Sequence, residues 1–293
     1  MKKLLLLGSE GMLGREILNT LLLSNNYHIH ATCRGATYRD YSDSSKFTQH
    51  TSFEASSFSS VFELLDGLKP EVIINCVGVV KQHDEIESAK FFEINSLFPR
   101  IIEFWASNNN SKIIHFSTDC VFDGKKGNYR ESDKPNARDV YGLSKVFGEI
   151  SSDNSLTIRT SIIGHERDSS LGLLDWFLSQ KDGRVEGYTK AFFSGTTTSY
   201  LAELVVNNLP KLIEISGILQ IGGPRISKFD LLELINEIYS TNVNITPSEN
   251  LKVDKSLNSS KAKEILNIEI QSWDYMIRPV SYTHLTLPTI LLV

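Results

Sequence analysis

The chain is poor in the residues that would staple it, anchor it or give it a strong charge. Only three cysteines occur among its 293 residues, Cys33, Cys76 and Cys120. They are odd in number and far apart, so they suggest neither a disulfide framework nor metal-ligand spacing. A reducing cytoplasm is the simplest setting for them. No sign of charge dominates: 30 basic against 35 acidic residues leave a formal net charge of -5, which gives no reason to expect nucleic acid or an acidic membrane as a partner. No apolar run approaches the roughly 18 residues of a membrane span. The run nearest the N-terminus, Leu4 to Leu7, stops at Gly8 and is too short for the core of a signal peptide. Internal repeats and low-complexity tracts are absent too. What remains is ordinary globular composition, 41% hydrophobic and 22% charged, in a chain long enough to build its core without staples.

The apolar pattern alternates between strand and helix. Residues 2–7, 27–33, 71–77, 112–118 and 156–162 read as short buried strands, most of them without polar alternation, as expected when both faces are covered. Helical spacing appears in 12–23, 59–70, roughly 85–108 with an interruption near Pro99, and 140–150. This order predicts an α/β fold: a Rossmann-type, doubly wound parallel sheet with helices on both faces. After Gly164 the pattern loosens. Helices are expected over 170–180, 197–209, 227–239 behind a Ser227 cap and 256–268, with a strand at 217–223. The expected division is a nucleotide-binding domain over 1–165, completed by 190–223, and a smaller C-terminal substrate-binding lobe from 166–189 and 224–279. The final stretch, 280–293, follows Pro279 and contains "VSYTHLTLPT". It has the residue types of a last strand, but it resembles the translation of a sequencing adapter and is left out of the fold expectation.

The first strand runs straight into "GSEGMLG". Glycines at 8, 11 and 14 suit a tight turn, close approach of a pyrophosphate to a helix N-terminus, and close packing of that helix on the sheet. Beyond the second strand stands Arg34, where an acid would hold a ribose 2′-hydroxyl; the next acid is Asp40. A guanidinium suits a 2′-phosphate through forked hydrogen bonds, which favours NADP over NAD. Three further pieces fall at the carboxyl ends of strands, where open sheets bind ligands: "NCVG" at 75–78, "FSTDC" at 116–120 and "YGLSK" at 141–145. Tyr141 and Lys145 stand four apart, on one face of a helix.

Together "GSEGMLG", "NCVG", "FEIN" (92–95), "STDCVFDG" (117–124), "YRESDKP" (129–135), "YGLSKVFGE" (141–149) and "RTSIIG" (159–164) resemble the extended short-chain dehydrogenase/reductase superfamily. The resemblance is to its dTDP-4-dehydrorhamnose reductase-like, sugar-nucleotide-binding branch. It spans about 1–165 and continues weakly through "FFSGTTT" (192–198). It implies a cytoplasmic NADPH-dependent reductase of a nucleotide-linked 4-keto-deoxysugar, feeding cell-surface polysaccharide synthesis and working as a homodimer. Tyr141 would give a proton to the ketone, Lys145 would hold the nicotinamide ribose and favour the tyrosinate, and Thr118 would bond the reacting oxygen. The cofactor set would be Gly8, Glu10, Gly11, Met12, Leu13, Gly14, Arg34, Cys76, Val77 and Gly78 with Tyr141 and Lys145. The substrate side would draw on Lys81, Thr118, Asp119, Ser161 and Trp176, and no metal is implied.

Elementary electrostatics supports the Tyr141–Lys145 pair. A cation about 4 Å from a phenolate, at an effective dielectric near 20, is worth about 4 kcal/mol. That would lower tyrosine's ordinary value near 10 by up to roughly three pH units, less with solvent present. Blander readings stand beside several of these residues. Thr118 can simply cap its strand end, Asp119 can fix the turn, and Asn95 can bond locally in its helix or organise backbone near the site. Trp176 can belong to the core with Leu173 and Phe177. His83, Lys81 and Arg167 can meet a diphosphate or be plain loop residues.

The segment "NCVGVVKQHDEIESA" departs from the "NAAAYTAVDKAE" type of the rhamnose enzymes, so the substrate side can differ. Two alternatives stay open. One is a nucleotide-sugar epimerase or dehydratase of the same superfamily, kept alive by Asp119 but weakened by Arg34 and by Cys120 in place of a Glu. The other is a non-catalytic NADP-binding regulatory subunit resembling that of methionine adenosyltransferase.

Overall fold

The computed structural model describes residues 1–24, 26–35, 46–80, 87–167 and 170–286, with the backbone alone at 282–286. In chain order the elements are β1 (Lys2–Leu7), α1 (Met12–Ser24), β2 (Tyr27–Thr32), β3 (Thr48–His50), α2 (Phe58–Leu68), β4 (Val72–Asn75), α3 (Ser88–Phe92), α4 (Phe98–Asn108), β5 (Lys112–Thr118), α5 (Val140–Gly148) and β6 (Ser155–Thr160). Then follow β7 (Ile162–Ile163), α6 (Leu173–Leu178), β8 (Arg184–Tyr188), β9 (Ala191–Phe193), β10 (Thr196–Thr197), α7 (Thr198–Asn207), α8 (Leu209–Leu212), β11 (Gly217–Gln220) and β12 (Ile226–Ser227). The chain closes with α9 (Lys228–Tyr239), β13 (Asn244–Ser248), β14 (Val253–Asp254), α10 (Ser260–Leu266) and α11 (Trp273–Thr286). Among the described residues, no helix is long and apolar enough to cross a membrane.

The chain forms two compact units: residues 1–122, 134–159 and 202–219, and residues 123–133, 160–201 and from 220 onward. The first is built on a seven-stranded sheet in the order β11-β6-β5-β4-β1-β2-β3. Its middle strands pair in parallel: β1 with β2 and β4, β2 with β3, and β4 with β5. This is the expected doubly wound Rossmann sheet. The strand order reverses between β1 and β4, the crevice where such sheets bind ligands. Leu4 to Leu7 are buried because β1 is covered on both faces. Leu5, Leu7 and Ile73 pack with Val61 and Leu65 of α2 and with Phe98, Ile102 and Trp105 of α4. The Trp105 indole within this layer donates to Asp66 at 2.7 Å.

The second unit has its own core. Leu174 and Phe177 of α6 pack with Val185, Ile245, Leu231, Ile235, Trp273 and Met276. Short strand pairs frame it: β8 with β13 in parallel, and β9 between β12 and β14. Helix α9 begins as expected, with the Ser227 hydroxyl accepting from Asp230 N at 3.0 Å.

Two elements differ from the sequence expectation. The break near Pro99 takes the form of a π-helical turn at Glu93–Leu97, upstream of the proline. Pro99 has no N–H to give to the carbonyl of Asn95 four residues back, so the disruption appears on the N-terminal side of the ring. The second is α11, which continues through Pro279. Trp273, Met276, Ile277 and Val280, at helical spacing, are all buried in the second core. That burial outweighs the one hydrogen bond the proline removes. The strand alternative for the last stretch is thereby replaced by helix as far as Thr286; residues 287–293 lie outside the described residues.

Candidate active site

The site assembles at the carboxyl ends of β1, β4 and β5. After β1 the chain turns at Gly8, whose φ of +77° is a left-handed conformation suited to glycine. A Cβ at Gly14 would overlap the Gly8 carbonyl, so α1 can pack this close to the turn only with glycine there. The turn is held from the next strand: Gly8 N donates to Thr32 Oγ1 at 3.1 Å, and Ser9 N and Oγ both reach the Thr32 carbonyl, at 3.0 and 2.9 Å. Ser9 and Thr32 were not among the expected site residues; being buried and small, they gave no distinct signal.

Gly11 is exposed, and a side chain there would point into open space save for the Gly8 carbonyl at 3.4 Å. The first turn of α1 carries no acid, so its free N–H groups and dipole stand ready for an anion. Met12 is half-buried and Leu13 buried beneath this turn, and Glu10 is half-buried. Arg34 is exposed just past β2. These features fit a dinucleotide pyrophosphate at the turn, with a basic residue beyond the second strand.

Opposite, the turn after β4 is shaped by Asn75. It is wholly buried, its Oδ1 accepts from Val77 N at 3.0 Å, and its Nδ2 lies 3.0 Å from His115 Nδ1. Cys76 N donates to the Leu7 carbonyl at 2.9 Å, joining the two turns. Asn95 holds the next stretch as a backbone clamp: Oδ1 accepts from Val79 N at 2.9 Å, while Nδ2 donates to Val79 O at 3.0 Å and to Ser144 Oγ at 3.1 Å. Of its two readings, the one that organises backbone near the site is the one realised. Lys81 and His83 lie outside the described residues, as does Asp40.

Helix α5 starts because Asp139 caps it, accepting from Gly142 N at 2.8 Å. Tyr141 stands in the first turn, edge-on to Phe91 with ring centroids 6.2 Å apart. One turn on, the buried Lys145 donates through Nζ to the Phe116 carbonyl of β5 at 2.7 Å. Gly78 closes this corner: a Cβ there would lie 3.4 Å from Asn95 Oδ1 and 3.8 Å from Lys145 Nζ. Thr118 ends β5 and does cap the turn that follows, accepting from Cys120 N at 3.1 Å. The Tyr141 phenol is near enough for the same hydroxyl to act on its acidity. Asp119 is buried in that turn; it accepts from Thr118 Oγ1 at 3.2 Å, while its carbonyl accepts from Phe122 N at 3.0 Å. Thr118, Tyr141 and Lys145 are therefore gathered by one strand end and one helix.

The charge logic runs opposite to the sequence expectation at Tyr141. Burial pushes the phenol well above its ordinary value; Cys120, Asp119 and Asp139 add to the rise, and only the Thr118 hydrogen bond works downward. Lys145 is pulled down to about 8 by burial, against the opposing pull of Glu149 and Cys76. The cost of bringing either charge out of water outweighs the ion–phenolate attraction here. Burial likewise pushes the Cys76 thiol up, so it is no ready nucleophile.

The remaining expected residues belong to the second unit. Ser161 follows β6, and Arg167 lies in the segment before α6. Trp176 is 38% exposed on α6, whereas the adjacent Phe177 is fully buried, so the core position belongs to Phe177.

A Rossmann sheet with a glycine turn at its switch point, and a Tyr–Lys pair one helical turn apart beside a strand-end threonine, defines a protein of the extended short-chain dehydrogenase/reductase type. Comparison with known proteins is more specific: the chain belongs to the RmlD substrate-binding domain family, whose model matches residues 1–281. A dTDP-4-dehydrorhamnose reductase of Aggregatibacter actinomycetemcomitans is 32% identical over 167 residues, covering 55% of this chain and 51% of that protein. The methionine adenosyltransferase 2 subunit beta of Bos taurus is 28% identical over 153 residues, 50% of this chain and 42% of that one. The matched stretch thus spans about half the length of these curated relatives or less. The structure of a hypothetical dTDP-4-dehydrorhamnose reductase from Sulfolobus tokodaii superposes with a TM-score of 0.78 at 29% identity, covering 93% of this chain and 97% of that one.

Proposed function

We propose that the protein is an NADPH-dependent reductase of a nucleotide-linked 4-keto-deoxysugar, acting in the synthesis of a surface polysaccharide. The observation that carries this reading is the gathering of Thr118, Tyr141 and Lys145 at the carboxyl ends of the strands, beside a glycine turn fit for a dinucleotide. When bound, NADPH supplies the hydride. Arg34 is exposed where the 2′-phosphate that distinguishes NADPH from NADH would stand.

The chain's own residues handle the proton. Tyr141, held neutral by burial, is loaded to donate to the oxygen of a ketone being reduced. Thr118 offers that oxygen a second hydrogen bond. Lys145 is a cation below about pH 8 and stabilises the tyrosinate left behind. The raised phenol suits the reductive direction, in which the enzyme must begin with the proton in place.

The match to methionine adenosyltransferase beta subunits supports a second reading, dinucleotide binding without turnover. One experiment separates the two: NADPH oxidation with a panel of dTDP- and UDP-linked 4-keto-sugars, with the products identified. Turnover with a reduced sugar supports the reductase. Tight NADPH binding with no turnover across the panel overturns it in favour of the binding role. Leu97, Phe104 and Phe147 are exposed on or beside α4 and α5 and support a homodimer, which sedimentation analysis would test.

A further inference from the structure

Behind Lys145 lies a second buried set of charges to which the proposed reaction gives no part. Glu149 closes α5 one turn beyond Lys145, on the same face. Arg159 of β6 grips it with both arms, Nε to Oε1 at 2.7 Å and Nη2 to Oε2 at 2.8 Å. Ser117 Oγ donates to the same Oε1 at 2.8 Å. The side chains of Arg159 and Glu149 are only 3% and 8% exposed. The guanidinium lies 5.1 Å from the centre of the Phe122 ring, and its Nη1 has no hydrogen-bond partner among the described residues.

Stability is a weak reason to bury such a pair, because stripping water from two ions offsets most of their attraction and an apolar pair of the same volume often serves the fold as well. The geometry offers a better reason. Lys145 and Glu149 hold consecutive residues of β5: the ammonium takes the Phe116 carbonyl, and the carboxylate takes the Ser117 hydroxyl. The next residue is Thr118. One turn of α5 is thus pinned twice to the strand that presents Thr118.

We propose that Glu149 is a positioning residue which, anchored by Arg159 and Ser117, keeps Lys145 a cation at the Phe116 carbonyl and in register with Thr118 and Tyr141. The purpose of this arrangement rests on the reductase reading, but its test does not. Burial works against the Lys145 charge, and the Glu149 carboxylate is the larger of the two groups opposing it, Cys76 being the other. The other groups near it are Tyr141 on its own helix, His115 on β5, which burial keeps neutral, and Arg159 on β6, a cation paired to Glu149. None of these supplies a negative charge at neutral pH.

The test is a pH titration of Lys145, followed by carbon-13 NMR of lysine-labelled full-length protein without nucleotide, with the signal assigned by its loss in Lys145→Met. Wild type is expected to titrate near 8. In Glu149→Gln the midpoint should fall by roughly one pH unit or more. Because that variant strands Arg159 and can lose its fold, the double variant Glu149→Gln/Arg159→Met removes both charges at similar volume and should show a smaller fall in the same direction, since the Arg159 cation goes with the carboxylate. Glu149→Asp, which keeps the charge, should recover part of it. A folded double variant whose Lys145 titrates like wild type overturns the proposal, since a purely structural ion pair would change unfolding but leave that midpoint alone. Absence of keto-sugar turnover in wild type, with the midpoint shifting as expected, would remove the reductase reading and leave this one standing.

Discussion

Gly148 of α5 lies directly against the carbonyl oxygen of Asn95: a Cβ there would overlap that oxygen and come within 3.2 Å of Pro99 Cγ. Pro99 has no N–H to donate to that carbonyl. The helix bearing Tyr141 and Lys145 therefore seats on the π-helical turn through a missing side chain. Gly148→Ala must move either α5 or the turn. Its expected cost is about 1–3 kcal/mol, the range for overpacking a close contact, read as a lower urea midpoint. A variant as stable as wild type would contradict the closeness of the contact.

Gly14→Ala meets a similar obstacle at the glycine turn, where its Cβ would overlap the Gly8 carbonyl. The turn and the first helical N–H groups would shift together. NADPH binding, followed by nucleotide fluorescence, should weaken at least roughly ten-fold, about 1.4 kcal/mol, with the circular dichroism spectrum retained. Unchanged affinity in a folded variant would place the pyrophosphate elsewhere.

Removing the Tyr141 hydroxyl isolates the proton step. Tyr141→Phe should keep NADPH affinity within a few-fold and lose on the order of 100-fold or more in turnover, the scale of one general acid. If turnover falls only a few-fold, another group donates the proton.

Acid should destabilise the fold through His115. Buried and 1% exposed, it is held neutral by burial, with Lys145 and Arg100 adding to the effect, so it takes a proton only well below its ordinary value. In the unfolded chain it takes that proton near 6.5. Below this the unfolded state binds more protons, so stability is fully present above about pH 6.5 and falls as pH drops. The expected slope is about 1.4 kcal/mol per pH unit from this histidine. His30 and His50, paired at 3.1 Å and also lowered by burial, add a smaller share because they are partly exposed. Urea unfolding of wild type and His115→Asn between pH 7 and 5 reads the difference; parallel curves would refute the assignment.

Much of the first unit was legible because its signals are local. An apolar run ending in glycine, a helix behind it and a Tyr-x-x-x-Lys turn each carry their meaning within a few residues. What escaped was relational. Asn95 had two readings in the sequence, and only its bonds to Val79 and Ser144 decide between them. Glu149 and Arg159 are ten residues apart, and only the crossover from α5 to β6 brings them together. The rise at the Tyr141 phenol comes first from burial, a property of the surroundings that spacing does not reveal. Helix α11 failed for the opposite reason. Its spacing at 273, 276, 277 and 280 was present in the sequence, but the adapter resemblance from 280 onward set the last part of the helix aside, and Val280 is buried in the second core.

The partition of the chain bears on how such a protein could change over evolutionary time. The glycine turn, Thr118, Tyr141, Lys145 and the charges behind them all fall in the first unit, while the second is held by a core of its own. Substitutions in the second unit can therefore accumulate without touching the hydrogen bonds around Thr118, Tyr141 and Lys145. If the proposed function holds, mutational drift could remodel the second unit while the first keeps its reducing machinery.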